Sequence, residues 1–191
     1  VFACASAEIF ARGAVRILNQ TGIINYLCFG SEQGELETLK RIASVLAQEP
    51  PEFRILLKKY LKQGLSFPAA REKALTGYLP DVPEGIMDKS NNILAIEYLK
   101  ALITTGSGME PVTIKRKGSG YQDPIIIESF SSATAIRNFL KETGYVSDPV
   151  LYGNIPSQTR SALNECFENN RGPVFPGDFS DIILYLLRTI G

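Results

Sequence analysis

Apolar residues recur along the chain in two rhythms. Between Ser6 and Asn19 they fall at Ile9, Phe10, Val15, Ile17 and Leu18, with Ala7, Ala11, Gly13 and Ala14 between them. That spacing predicts a buried helix whose small face lets another backbone approach closely. Asn19-Gln20-Thr21-Gly22 closes it on a glycine stop. Ile23 to Phe29 is then an unbroken β-prone run and predicts a buried strand. Helical spacing returns over Glu35 to Gln48 (Leu36, Leu39, Ile42, Ala43, Leu46) and over Glu52 to Gln63 (Phe53, Leu56, Leu57, Tyr60, Leu61), with Pro51 suited to a first turn. A short helix is expected over Ala69 to Leu75, and a mobile Pro- and Gly-containing loop over Tyr78 to Lys89.

A further helix follows, with Ile93, Leu94, Ile96, Leu99 and Leu102 toward the core and Asn91 or Asn92 where an N-cap belongs. Pro111 to Arg116 reads as a second strand and Ile125-Ile126-Ile127 as a third apolar run before a helix that starts at Ser131-Ser132. Gly144 to Pro156, rich in Gly and Pro, is the expected domain boundary. Beyond it the pattern predicts a helix over Ser157 to Asn169, a loop over Gly172 to Gly177, and an amphipathic helix over Phe179 to Thr189 capped by Ser180 or Asp181. Helix leading into buried strand leading into helix is the order of a parallel α/β sheet. The expectation is a helix-rich α/β domain over residues 1–145, with residues 146–191 beginning a second, helical one.

Composition narrows the chemistry. With 191 residues, 45% of them hydrophobic, one sizeable core is affordable. Twenty basic and twenty acidic side chains cancel, so any polyanionic partner must be met by a local patch. The three cysteines, Cys4, Cys28 and Cys166, are widely spaced in apolar or helical surroundings, which predicts reduced core thiols and a cytosolic protein. No apolar run reaches the roughly 18 residues that cross a bilayer, so no membrane partner is expected. Histidine is absent, which removes His-based acid/base catalysis, His metal ligation and a Ser-His-Asp triad from this chain's repertoire. Both ends have a cut look, Val1-Phe2-Ala3 having no polar lead-in and Leu187 to Gly191 stopping with an apolar helix, so an interior piece of a longer protein is expected.

In parallel sheets ligands sit beyond the carboxyl ends of the strands, and several suggestive residues fall there. Gly30 follows the first strand, where a missing side chain lets a ligand approach; a plain turn glycine reads equally well. Asn91 and Asn92 offer two carboxamides at a helix start, where one suffices as a cap and the second suits an adenine edge or a phosphate. Lys115 and Arg116 end the second strand before the basic, Gly-rich Lys117-Gly118-Ser119-Gly120-Tyr121. Ser131, Ser132 and Arg137 combine hydroxyls, free N–H groups and a guanidinium at a helix start, the makings of an anion site, although a Ser-capped helix with a solvated arginine explains them too. Arg54, Lys58, Lys59 and Lys62 form a basic helix face that is more commonly just solvated.

Taken in order, VFACASAEIFARGAVRILN, LCFGSE, GLSFPAAR, NNILAIEYLKAL, TIKRKGSGY, SSATAIR and FSDIILYLLR resemble the bacterial tRNA(Met) cytidine acetate ligase family within the HIGH-type nucleotidylyltransferases. The resemblance covers nearly the whole chain. It implies a Rossmann-like domain followed by a helical tRNA-facing part, with ATP and acetate forming acetyl-adenylate and the wobble cytidine of elongator methionine tRNA taking up the acetyl group. It implies ATP-binding positions at Gly30, Asn91 and Arg116, and phosphate-binding ones at Asn92, Lys115, Ser131, Ser132 and Arg137. Magnesium is compatible with that chemistry, though no carboxylate cluster in the sequence would hold it. The family's His-x-Gly-His motif does not occur here, which implies that this stretch lacks full activity alone. Two other readings remain at this stage: a related enzyme acting on a small phosphorylated acceptor, and a non-catalytic helical interaction or RNA-binding module.

Overall fold

The computed structural model describes residues 4–116, 131–144 and 149–189. The chain divides into two compact units, Val1–Arg116 and Lys117–Gly191. The limit expected between residues 145 and 146 falls inside the second unit, and the expected strand at Ile125 to Ile127 lies outside the described residues.

Among the described residues, the first unit is a two-stranded parallel sheet with helices packed on it. Strands β1 (Tyr26–Ser31) and β2 (Glu110–Lys115) pair in register from Tyr26 opposite Glu110 to Ser31 opposite Lys115. Helices α1 (Ala7–Thr21), α2 (Leu36–Gln48), α3 (Pro51–Lys62), α4 (Phe67–Tyr78) and α5 (Ser90–Thr105) complete it. This is the helix-rich parallel α/β arrangement that the alternation of patterns implied, and it agrees with the Rossmann-like domain that the resemblance implied. Local chemistry sets the helix ends. Ser6 Oγ accepts from Ile9 N at 3.3 Å, and Gly22, in the left-handed region at φ 69°, donates its N–H to Asn19 O.

The core lies between the helices and one face of the sheet. Leu27, Phe29 and Ser31 of β1 point into it, and Val15, Leu39, Ile42, Phe53, Leu75 and Ile96 are wholly or almost wholly buried. Burial of each such aliphatic or aromatic side chain contributes about 1.5–3 kcal/mol. Phe29 stacks on Tyr98 of α5 with ring centroids 5.8 Å apart.

The other face of β1 is exposed among the described residues, and this corrects two expectations. The strand begins at Tyr26 rather than Ile23, which is left exposed, and Cys28 points outward. Cys4 is exposed as well and Cys166 partly buried, so the cysteines are unbridged as expected but are not core thiols. The loop after α4 is also better anchored than its composition suggested. It buries Val82 and Ile86, forms a 3₁₀ turn over Ile86–Asp88, and is tied down by Arg41 to Asp81 and by Gly85 N donating to Glu72 Oε1 at 3.0 Å.

The second unit contains α6 (Ala133–Thr143), the short α7 (Pro149–Tyr152), α8 (Ser157–Glu168) and α9 (Ser180–Thr189). Leu140, Leu151 and Ile155 form its small core, flanked by Ile136, Phe139, Leu163 and Phe167. Helix α9 buries none of its residues; Ile182, Ile183, Leu184, Tyr185, Leu186 and Leu187 are all exposed among the described residues. No helix among the described residues is long and apolar enough to cross a membrane.

Leu39→Ala removes a fully buried side chain from α2 and is expected to lower unfolding free energy by about 2–5 kcal/mol. Ile55→Ala, on the exposed side of α3 at 67% exposure, should stay within about 0.5 kcal/mol of the parent. Urea unfolding of the two variants side by side checks this; equal losses would mean the core is misassigned.

Candidate functional site

The parallel register brings both strand ends to one level. Arg116 N donates to Ser31 O at 2.9 Å, which extends the ladder just past β2. Ser31 Oγ shares a 2.8 Å hydrogen bond with Thr113 Oγ1 and accepts from Gly34 N at 3.0 Å, so the buried serine fixes both the strand pair and the turn that leaves β1. Above this platform lie the Ser31-Glu32-Gln33-Gly34 turn and the start of α5.

A carboxylate joins those two pieces. Glu32 Oε2 accepts from Asn92 N at 2.8 Å, and Glu32 Oε1 accepts from Asn91 Nδ2 at 2.6 Å. The N-terminus of α5 is therefore capped from 60 residues away rather than by its own asparagines, since Lys89 at the cap position makes no side-chain cap bond. A carboxylate at this end also meets the favourable pole of the helix dipole. Partial burial works to raise the Glu32 pKa, but the Asn91 amide and the backbone N–H groups of Glu32, Asn92 and Asn91 together outweigh it and hold the carboxyl below its ordinary value.

Asn92 is buried and works in the same joint. Its Oδ1 accepts from Gln33 N at 2.9 Å and its Nδ2 donates to Ile86 O at 3.1 Å, so the carboxamide stitches the turn after β1 to the 3₁₀ turn before α5. Asn91 is half-buried, at the edge of the joint.

The two glycines of this region have different reasons to be glycine. Gly34 adopts φ +75°, and a Cβ there would meet Lys115 Cβ at 2.6 Å, so both backbone and space forbid a side chain. Gly30 has no such constraint: a Cβ would sit 3.5 Å from Arg116 Cγ, ordinary contact. The fold tolerates a methyl at Gly30, so what its bareness preserves is open space beside the Arg116 stem. Lys115 and Arg116 are both exposed. Gly30, Asn91, Asn92, Lys115 and Arg116 thus all lie at the carboxyl end of the sheet, two cations and a bare backbone stretch beside a helix N-terminus. Glu32 and Gly34 were missed by sequence reasoning. The acidic residue straight after a strand and the glycine two positions on were the available signals.

In the second unit Ser132 caps α6, its Oγ accepting from Ala135 N at 3.0 Å, and is buried. Ser131 N donates to Asn154 Oδ1 at 2.9 Å. Arg137 is exposed and folds back toward the helix start, its Nη2 donating to Thr134 Oγ1 at 3.1 Å. That orientation keeps a guanidinium beside the N–H groups of the first turn. Among the described residues, no group of three His, Cys, Asp or Glu side chains gathers to hold a metal ion.

The chain belongs to the HIGH nucleotidyl transferase family, whose model matches residues 1–190. Within it, the curated relatives include the tRNA(Met) cytidine acetate ligase of Alkaliphilus metalliredigens, 44% identical over 98% of this chain and 46% of that protein. That of Acetivibrio thermocellus is 47% identical over 97% of this chain and 46% of that protein. Among solved structures, Thermotoga maritima TmcAL superposes with TM-score 0.85 in its apo form, at 36% identity over 96% of this chain and 44% of that one. Its form bound with α-thio ATP gives 0.81 over 98% of this chain and 44% of that one. The chain spans about half the length of the relatives it matches.

The lowered Glu32 pKa has a definite sign. A carboxyl with a depressed folded pKa stabilises above its unfolded pKa, and the stabilisation is lost as pH falls through the folded value. Amide exchange at Asn92 N–H should accordingly accelerate, relative to core amides, on acidification below the ordinary carboxylate range. Glu32→Gln should abolish that extra acid sensitivity; an unchanged pH profile in the variant would detach the cap from Glu32. Gly34→Ala should cost about 2–4 kcal/mol, combining positive-φ strain with the clash against Lys115. Gly22→Ala, with φ +69° and nothing within 4 Å, should cost only about 1–2 kcal/mol. Denaturant midpoints of the two variants read the difference.

Proposed function

We propose that this chain is the nucleotide-binding portion of a tRNA(Met) cytidine acetate ligase, a cytoplasmic tRNA-modifying enzyme. The reading rests on sequence identity of 44–47% to enzymes of that name, joined to the likeness to a neighbour whose structure was solved with α-thio ATP. In the proposed reaction an acetate oxygen attacks the α-phosphorus of ATP, pyrophosphate leaves, and acetyl-adenylate forms. The exocyclic amine of the wobble cytidine in elongator tRNA(Met) then attacks the acetyl carbonyl, AMP leaves, and the amine's proton goes to solvent.

The chain's residues have positioning and charge-neutralising tasks in this scheme. Gly30 leaves room for the nucleotide to lie against the backbone. Asn91, at the edge of the Glu32 joint, faces the nucleotide, while Asn92 keeps the helix start in place behind it. Arg116 and Lys115 neutralise phosphate oxygens at the strand end, while the phosphate-binding roles of Ser131, Ser132 and Arg137 rest on the resemblance of the SSATAIR stretch to the family motif. Residues 1–145 serve the nucleotide and residues 146–191 begin the tRNA-facing part. The donors here are cations and N–H groups, so the chemistry assigned to this chain runs through them; magnesium, if bound, would come with the nucleotide's phosphates.

The test is acetylation of elongator tRNA(Met) by the intact protein with labelled acetate and ATP. Label in the tRNA, dependent on ATP, is the expected outcome; cytidylyl or adenylyl transfer to a small phosphorylated acceptor in its place would replace this reading. Arg116→Ala should weaken ATP binding by about 1.5–3 kcal/mol, the scale of a hydrogen bond to a charged group. Arg137→Lys should also impair turnover, because an ammonium cannot reproduce a two-pronged phosphate contact. Calorimetric ATP affinity and acetylation rates of both variants check the assignment, and parent-like values in both would leave the site unassigned.

A further inference from the structure

Away from the sheet end, α1 and α5 enclose a cleft of about 210 Å³ lined by Arg12, Arg16, Lys100 and Glu97, with Thr104 and Thr105 along one wall. Arg12 and Arg16 are one helical turn apart on the flank of α1, both exposed, and neither makes an ion pair among the described residues. Ala11 and Val15, both fully buried, draw the helices together and set the two guanidinium groups at the cleft mouth.

The acidic groups of the cleft are already matched. Glu97 is buried and accepts from Lys100 Nζ at 2.8 Å and Arg71 Nη2 at 3.3 Å, and Glu8 lies 3.9 Å from Lys100. Three cations, Arg12, Arg16 and Lys100, against the two carboxylates of Glu8 and Glu97 leave the cleft positive, and Glu97 has a further cationic partner outside it in Arg71. The threonine hydroxyls donate to carbonyls of their own helix, Thr104 to Lys100 O and Thr105 to Ala101 O. The donors offered to an incoming group are therefore the guanidinium forks of Arg12 and Arg16, whose geometry matches a phosphate.

A second hollow, of about 430 Å³, is lined by Arg71 and Ile93 among others, so it abuts the Arg71–Glu97 pair from the α4 side. Ile93, Glu97, Lys100 and Thr104 fall on one face of α5 at spacings of three and four residues. Lys100 lies roughly 14 Å along α5 from Asn91, at the 1.5 Å rise of a helix. That separation and the open, cation-lined mouth suit a phosphodiester strand passing along α5 better than a small enclosed anion.

We infer that the α1–α5 cleft is a phosphate-binding subsite for the backbone of an RNA strand, with Arg12 and Arg16 as its contacts. The inference rests on the RNA-modifying function proposed above and deepens it by assigning a surface to the RNA. The experiment measures binding of elongator tRNA(Met) and of bulk tRNA to the intact protein as a function of salt, alongside acetate-dependent ATP–pyrophosphate exchange. Arg12→Glu/Arg16→Glu should weaken RNA binding at least tenfold and reduce the slope of log affinity against log salt by about 1.4–1.8, the loss of two phosphate contacts. The exchange reaction should remain at the parent rate, which separates RNA phosphate from nucleotide phosphate as the bound group. Arg12→Lys/Arg16→Lys keeps the charge and should retain most of the salt slope.

Parent-like affinity and slope in the charge-reversed variant would overturn the inference. So would an equal loss of nucleotide exchange, or a comparable loss in Lys58→Glu/Lys62→Glu on the polar face of α3 with none in α1. If the parent binds RNA but acetylates none, the functional reading falls and the cleft is still judged by the variants. If the parent binds no RNA, the cleft assignment falls as well.

Discussion

The arrangement at the end of the sheet depends on one carboxylate. Glu32 leaves β1 and, by accepting from Asn92 N and Asn91 Nδ2, holds the start of α5 against the turn that follows the strand. Without it the first-turn N–H of Asn92 and the Asn91 amide would lose their acceptor at a half-buried joint, a cost of about 1–3 kcal/mol for each polar group left unsatisfied there. The joint does more than stabilise. It fixes the distance between a bare strand end, a helix N-terminus and two cationic side chains, and the proposed chemistry asks chiefly for that distance.

Around the joint the division of labour is clear from burial. Asn92, Ser31 and Gly34 have their polar groups or their space committed within the protein, whereas Lys115 and Arg116 are exposed. A rigid inner set therefore supports an outer set that remains able to meet a ligand, and the rotamer entropy of the outer cations is lost only on binding.

Much of the fold was legible because its signals are local. Ser6 and Gly22 announce the ends of α1, Leu36 to Leu46 the buried side of α2, and the helix-strand-helix order the parallel pairing of β1 with β2. What escaped was set by partners distant in sequence. An asparagine pair at a helix start reads as a self-made cap, because that is the nearest hydrogen bond available; that Glu32 supplies the cap instead is a tertiary fact. Cys28 lies in an apolar run yet faces outward, since strand alternation says which residues share a face but not which face is covered. The candidate site was similarly half-readable. Strand ends pointed to Gly30 and Arg116, while Gly34 became visible only when Lys115 was found packed against it.

The unburied helix α9 bears on how such a polypeptide behaves in a test tube. Six successive apolar or aromatic side chains from Ile182 to Leu187 stand in water around the whole circumference of the helix, so its solubility limit is colloidal rather than conformational. Kosmotropic salts that reinforce a folded core, such as sulfate, reinforce contact between these helices by the same exclusion from apolar surface. The additive that best protects the fold against heat is thus the one that most favours its precipitation.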